Sequence, residues 1–482
     1  MESSRRFVAM KVESKRILQS IIYMLMGLQI AFGTAWILCN LGEVPRFEES
    51  RELLAMSETL VIDEYTGIMY PVCLRLAMTL EHLIGFPGCA VLYILQLAAA
   101  YLAYGCFLKH VVFYGQEMKR RLRNKVCFYA GFAMTIPTVV QVHMALLPYS
   151  LASSTFIVLL AKTSLLWRRE YTLHWKKGLE IGGLWVLSAQ LCPAYAWIAG
   201  VAVGISFLRY LMLHKQSFIK LTAVCLAAVL CVNVLNSVFQ TEGSLGKIQS
   251  SVGAVMIARF VWPNFLSYKY FWGPEVTGIW DYAGLAELST YPEKVIYEFG
   301  PRLEECVGKE AANQIYWEMS LDALKLGTKS IVLTLLTDFA AYVCPPLTML
   351  VQLQGTGVSY TGWNYGRMKD YAPELTRYYV EYALGAWGCI VGLCLVQSIL
   401  SRGRKRNSAR KGNYIGVYFC LVSLFINLWY IMNNGHMQDY KRLIVNSVLW
   451  AFVVIYVLVK TEQGFGKMPD MEAGDEPACI DK

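Results

Sequence analysis

Charge is what this chain has least of. Only 16% of its 482 residues are Asp, Glu, Lys or Arg, while 56% are hydrophobic. A soluble protein carries about 25% charged residues. The deficit excludes an ordinary soluble fold and fits several apolar spans of about twenty residues, the length that crosses a bilayer as helix. The apolar runs are continuous and do not alternate, which excludes a single β-barrel. There is no CxxC pair and no Cys/His metal spacing, and most of the 14 cysteines lie in apolar spans, as Cys225, Cys231, Cys389 and Cys394 do. That is core usage and excludes a disulfide framework. The signatures GxxxxGK[ST], GxSxG and HExxH are missing, as is a paired dinucleotide fingerprint. A cytosolic nucleotide is therefore not the expected activated substrate. No outer-loop asparagine lies in an Asn-x-Ser/Thr sequon, which favours a bacterial membrane over the endoplasmic reticulum. No internal repeat of roughly 20–50 residues is evident.

What charge there is sums to +9 and is clustered. In a soluble protein such an excess raises the question of nucleic acid. Here the clusters sit between apolar spans, as in the cytoplasmic loops of membrane proteins, so no nucleic-acid partner is expected. They are Arg5–Arg16, Lys109–Lys125, Arg168–Lys177, Arg209–Lys220, Arg402–Lys411 and the tail from Lys460. Neighbouring clusters on one side must be joined by an even number of crossings. The expected spans are Ile17–Asn40, Gly85–Leu108, two within Val126–Leu166, two within Gly178–Leu208 around Pro193, Leu221–Phe239, Val380–Leu400, Tyr414–Met432 and Leu443–Val459. The expectation is an all-α membrane protein of about ten transmembrane helices in the cell membrane, with both termini cytoplasmic. It divides into an N-terminal membrane domain at 1–239, with seven helices and a first outer loop at 41–84. An extracytoplasmic region follows at 240–379, then C-terminal membrane helices at 380–460 and a cytoplasmic tail at 461–482. Segment 330–353 would break the parity as a full span. Thr334, Thr337, Asp338 and Ala341 share one face there, and Pro345–Pro346 end it, so it is expected to be an interfacial helix.

This layout puts the unusual residues on one side of the membrane. In LVIDEYTGIMYPVCLRL, residues 60–76, two adjacent carboxylates, Asp63 and Glu64, lie between Ile62 and Tyr65. A carboxylate beside apolar surface has a raised pKa and becomes a candidate general base. The alternative is a solvated loop, since Glu48, Glu49, Glu52 and Glu58 are close by. From Val72 to Ile84 the residues Val72, Leu76, Leu80 and Leu83 share one helical face, and Arg75, Thr79 and His82 another. That pattern predicts an amphipathic helix in the membrane surface. Within RFVWPNFLSYKYFWGPEV, residues 259–276, and at Trp280, Trp317 and Trp363, aromatic rings suit either an interfacial belt or stacking against sugar rings. His436, Asp439, Lys441 and Arg442 stand at the outer start of the last helix. Such cations either snorkel to headgroups or bind a phosphate through the guanidinium fork. His143, at the outer turn of the third and fourth spans, is read either as a substrate contact or as a hydrogen-bonded packing residue.

One long helix, an outer loop with an acidic pair, an interfacial helix and a second span together resemble the start of GT-C class membrane glycosyltransferases. Protein O-mannosyltransferases and bacterial aminoarabinose-type transferases belong to that class. DEY at Asp63–Tyr65 corresponds to its acidic position, and QDYKRLI, residues 438–444, looks like its terminal basic element. Tyr65 stands where the class has a proline after the pair. The resemblance implies a GT-C-like fold and transfer of a sugar from a polyprenyl-phosphate donor to an extracytoplasmic glycan, lipid or protein acceptor. It implies that Asp63 or Glu64 is the base and that Arg442 binds the donor phosphate. Arg75, His82, His143, Trp363, His436, Asp439 and Lys441 are the expected further substrate contacts from their place on the same side of the membrane. Some members use a divalent cation, for which Glu64 would be the candidate ligand. Two alternatives stay open: a transporter or flippase of a lipid-linked saccharide, and a polysaccharide assembly protein without GT-C chemistry.

Overall fold

The computed structural model describes residues 2–40, 48–62, 67–85, 87–168, 170–213, 218–239, 300–308, 310–315, 317–319, a few positions up to 336, and 373–401, 414–434 and 444–463. Among them the fold is helical and has no β-strand. The N-terminal region runs α1 (Glu2–Asn40), α2 (Glu48–Thr59), α3 (Met69–Ile84), α4 (Gly88–Phe107), α5 (Arg120–Met134), α6 (Pro137–Met144), α7 (Tyr149–Leu165), α8 (Trp175–Leu191), α9 (Ala194–Leu213) and α10 (Phe218–Phe239). The short α11 (Gly300–Val307) follows, then α12 (Pro373–Ser401), α13 (Tyr414–Asn434) and α14 (Ile444–Gln463).

Among the described residues, four helices are long and apolar enough to cross a membrane: Arg16–Asn40, Gly88–Val112, Ala194–Leu213 and Glu374–Val396. The pair α5 and α6 makes a fifth if it counts as one broken span. Shorter apolar helices occupy Tyr149–Leu165, Thr222–Leu235, Gly416–Asn427 and Ile444–Lys460. The architecture is that of an all-α chain compatible with a multi-pass membrane protein. Leu28, Leu38, Leu95, Leu102, Leu208 and Leu230 are exposed on these helices. Outward-facing leucines on helices of membrane-spanning length are what a lipid solvent favours.

Close helix packing is written in small residues and in hydrogen bonds between helices. Gly33 on α1 leaves room for Thr135 and Tyr379; a Cβ there would lie 2.7 Å from Thr135 Cβ. On α8, Gly182 does the same for Val224 of α10, at 2.9 Å. The Trp36 indole donates to Thr376 Oγ1 at 2.7 Å, and the Tyr382 hydroxyl to the Leu25 carbonyl at 2.7 Å, so α12 is bound along α1. Thr163 and Tyr418 join α7 to α13 at 2.8 Å. Asn446 donates to Asn427 Oδ1 at 3.0 Å, joining α14 to α13. In an apolar medium these bonds supply the specificity that hydrophobic burial cannot, at about 0.6 kcal/mol each on average.

The sequence leads one to expect two helices and a tight turn across Val126–Leu166; the structure has three helices. The chain bends by 82° between α5 and α6. Pro137 has no N–H to give the α5 ladder and pushes Ile136 into an extended conformation, with ψ at 130°. Pro148 then opens α7. The stretch between the prolines is therefore a helix of its own, and all eight residues of α6 are buried. The break expected at Pro193 is present between α8 and α9. Of the expected interfacial helix 330–353, only Val332 and Leu336 are described, both helical and exposed; the rest lies outside the described residues.

Candidate functional site

The described residues on either side of the acidic pair are tightly packed. Helix α2 stops at Thr59, and Leu60 reverses the chain in the left-handed region, with φ at 57° and its N–H on the Met56 carbonyl at 2.8 Å. A leucine rarely adopts that conformation, which costs about 1–2 kcal/mol. The reversal delivers Ile62 into the core, where it is 1% exposed. After four residues outside the described set, Gly67 lies directly on the end of α8. A Cβ on Gly67 would sit 1.9 Å from the Gln190 carbonyl oxygen. Ile68 is 6% exposed and Tyr70 is fully buried. Ile62 and Gly67, the described residues on either side of positions 63–66, are thus both packed into the bundle. Asp63 and Glu64 fall within that segment, outside the described residues.

Helix α3 has three faces. Tyr70, Leu74 and Ala77 are buried. Leu76, Leu80 and Leu83 are exposed, Leu83 to 76%. Arg75, Thr79 and His82 form an exposed polar stripe between these two faces. This is the amphipathic surface helix expected from the sequence, with a third, protein-facing side added. The left-handed Gly85 ends it, and Glu81 turns back to accept the Gly88 N–H at 3.0 Å, capping α4 with a carboxylate where the helix dipole is positive.

From Tyr70 a buried polar layer runs into the helix bundle. The Tyr70 hydroxyl donates to Gln96 Oε1 at 3.0 Å. Burial pushes the Tyr70 phenol well above its ordinary value, with Tyr93, Cys73 and Cys89 acting in the same direction, so it stays a donor at working pH. Gln96 Nε2 donates to the carbonyls of His143 at 2.9 Å and Ala145 at 3.0 Å, the open end of α6. The His143 ring uses both nitrogens: Nε2 is hydrogen-bonded to the Tyr104 hydroxyl, and Nδ1 lies 2.8 Å from Ser150 Oγ. The Ser150 carbonyl accepts from Ser153 and Ser154 at 3.0 and 2.8 Å. The layer ties α3, α4, α6 and α7 together and holds the root of α3 in place. His143 is fully buried and hydrogen-bonded through both ring nitrogens, while Arg75 and His82 are exposed on α3.

Gln29 on α1, and Thr138 and Gln141 on the adjoining α6, are buried with side-chain polar atoms that have no protein partner among the described residues. Such an atom costs about 1–3 kcal/mol. Among the described residues no three His, Cys, Asp or Glu side chains gather as metal ligands. Trp363, His436, Asp439, Lys441 and Arg442 lie outside the described residues; helix α14 begins two positions after Arg442, with Ile444, Val445 and Asn446 buried. No family model, no curated protein and no solved structure matches the chain.

Sequence reasoning missed Tyr70, Gln96, Tyr104 and Ser150. One signal was available. Gln96 interrupts the apolar run LYILQLAAAYLAYG, and an amide inside a membrane span calls for a partner.

Proposed function

We propose that this chain is an integral-membrane glycosyltransferase that moves a sugar from a polyprenyl-phosphate donor to an extracytoplasmic glycan, lipid or protein acceptor. The observation that supports the reading is that the residues on either side of the acidic segment are packed, Ile62 in the core and Gly67 on the end of α8. A merely solvated loop has no need to be seated at both ends. A base has, because its rate depends on position. In this reading Asp63 takes the proton of the acceptor hydroxyl. The acceptor oxygen bonds to the anomeric carbon as the bond from that carbon to the phosphate oxygen breaks, and polyprenyl phosphate leaves with the electron pair. The configuration is inverted. Arg442 steadies the growing charge on the leaving phosphate. The exposed leucines of α3 rest in the lipid surface from which the donor arrives, and Arg75 and His82 face its headgroup level. The reading includes ten membrane helices in the cell membrane and cytoplasmic termini.

Its test uses purified full-length protein in detergent. Sugar transfer from a polyprenyl-phosphate sugar without nucleotide sugar supports the reading; strict dependence on a nucleotide sugar overturns it.

A second reading draws on the α5–α6 break. A buried half-helix bent by 82°, with unpartnered polar atoms on Gln29, Thr138 and Gln141 nearby, is the kind of arrangement that transporters of polar cargo use. Movement of a labelled lipid-linked saccharide between the leaflets of a vesicle, with no change in its sugar, would favour a flippase.

A further inference from the structure

At the other end of α8, about 25 Å away at 1.5 Å per residue, basic groups converge in a way that the transfer reaction does not use. Helix α4 ends in a π-helical turn, Leu108–Val112, closed by the Phe113 N–H on the Leu108 carbonyl at 3.0 Å. Such turns are uncommon and gather at functional sites. This one places Lys109 and His110 at the end of the span. Lys162, Lys109, Arg168 and Glu180 are all close enough to act electrostatically on His110. Glu180 is engaged by Lys162 at 2.7 Å. That leaves Lys109 and Arg168 without a countercharge in contact among the described residues.

Arg168 is the unusual member. A cation at a helix end normally extends into water or to the headgroups. This guanidinium lies instead over the Tyr114 ring, 3.5 Å from its centroid, and is half-buried. Its Nε is buried with no hydrogen-bond partner, and no ion pair holds it among the described residues. Exposed Glu170, two positions on, acts on it only from a distance. Tyr456, in the last part of α14, is close enough for its phenol to sense the same charge. Stacking fixes the plane of the guanidinium, and with Nε covered it is the two Nη groups that can reach two oxygens of one phosphate. Tyr114 is 39% exposed, so the position is open to the surroundings of the bundle. The ends of membrane helices lie at headgroup depth, where basic pockets between helices bind anionic lipids.

We propose that Arg168, stacked on Tyr114 and sharing its neighbour His110 with Lys109, binds the phosphate of an anionic phospholipid headgroup. The lipid would fill the seam between α4, α7 and α14 and lock that end of the bundle.

Full-length protein, stripped of lipid in a neutral detergent, would be given phosphatidylglycerol, phosphatidylcholine or inorganic phosphate. Thermal unfolding and the number of lipids retained in native mass spectrometry would be read. Phosphatidylglycerol should raise the midpoint and be retained, and the other two should do neither. Arg168→Gln should weaken phosphatidylglycerol binding about tenfold or more, the loss expected for one charge-assisted contact. Arg168→Lys should restore it only in part. If Arg168→Gln does not fold, Lys109→Gln, at an exposed position, should weaken binding in the same direction. An equal shift from inorganic phosphate, equal retention of phosphatidylcholine, or unchanged binding in the folded variants would overturn the proposal.

Discussion

Replacing Gly67 by alanine tests whether the acidic segment is held where chemistry needs it. Gly67 has no positive φ, so alanine is refused by space and not by backbone conformation. The added Cβ would lie 1.9 Å from the Gln190 oxygen and 2.3 Å from its carbonyl carbon. Real Cβ contacts stay above 3.0 Å, and the obstacle is backbone, so either the loop or the end of α8 must move by about 1 Å. Overpacking of that kind costs about 1–3 kcal/mol of stability. Displacing a positioned catalytic group by about 1 Å lowers the rate on the order of a hundredfold. Gly27→Ala is the control: its Cβ meets nothing within 4 Å, and alanine in a helix gains up to about 1 kcal/mol over glycine. The assay is sugar transfer at saturating donor beside thermal unfolding in the same detergent. Gly67→Ala should be destabilised modestly and slowed far more than its stability loss explains, while Gly27→Ala stays near wild type in rate. A Gly67→Ala protein with unchanged rate and midpoint would refute the close seating of the loop on α8.

Three further outcomes are expected. His143→Ala leaves the Tyr104 hydroxyl and Ser150 Oγ without their ring partner in the core, at about 1–3 kcal/mol for each unsatisfied group, so the unfolding midpoint should fall; loss of activity with an unchanged midpoint would make His143 a substrate contact instead. Arg442→Ala should raise the donor concentration needed for half-maximal transfer, and Arg442→Lys should recover part of it because a point charge cannot replace the fork; equal KM values in all three proteins would remove Arg442 from the donor site. Cysteine labelling in intact cells should reach Tyr365→Cys from outside and Asn407→Cys only after the inner face is opened; outside labelling of Asn407→Cys would overturn the ten-helix topology.

The parts of this fold legible in the sequence are those set by local rules. The amphipathic pattern of 72–84 gave α3 because its leucines and its polar residues recur at helical spacing. Pro193 marked the α8–α9 break for a local reason as well. Helix α6 was not legible, because two prolines eleven positions apart suggest a turn as readily as a helix set between them. The tertiary half of the site was also hidden. No spacing rule links Gly67 to Gln190 or Tyr104 to His143, since those contacts are made by packing between helices far apart in sequence. Burial of Ile62 and Ile68 could be anticipated from their types beside the acidic pair; what they pack against could not.

The most direct test of the account compares Asp63→Asn and Glu64→Gln with Glu48→Gln and Glu58→Gln, measuring release of polyprenyl phosphate from the lipid-linked sugar donor by purified protein. Loss of a general base costs about 10² to 10⁴ in rate. A loss of that size is expected for Asp63→Asn, a smaller one for Glu64→Gln, and near wild-type rates for the other two, with expression and membrane insertion unchanged in all four. Full activity in both Asp63→Asn and Glu64→Gln would leave the pair as a solvated loop and contradict the glycosyltransferase reading.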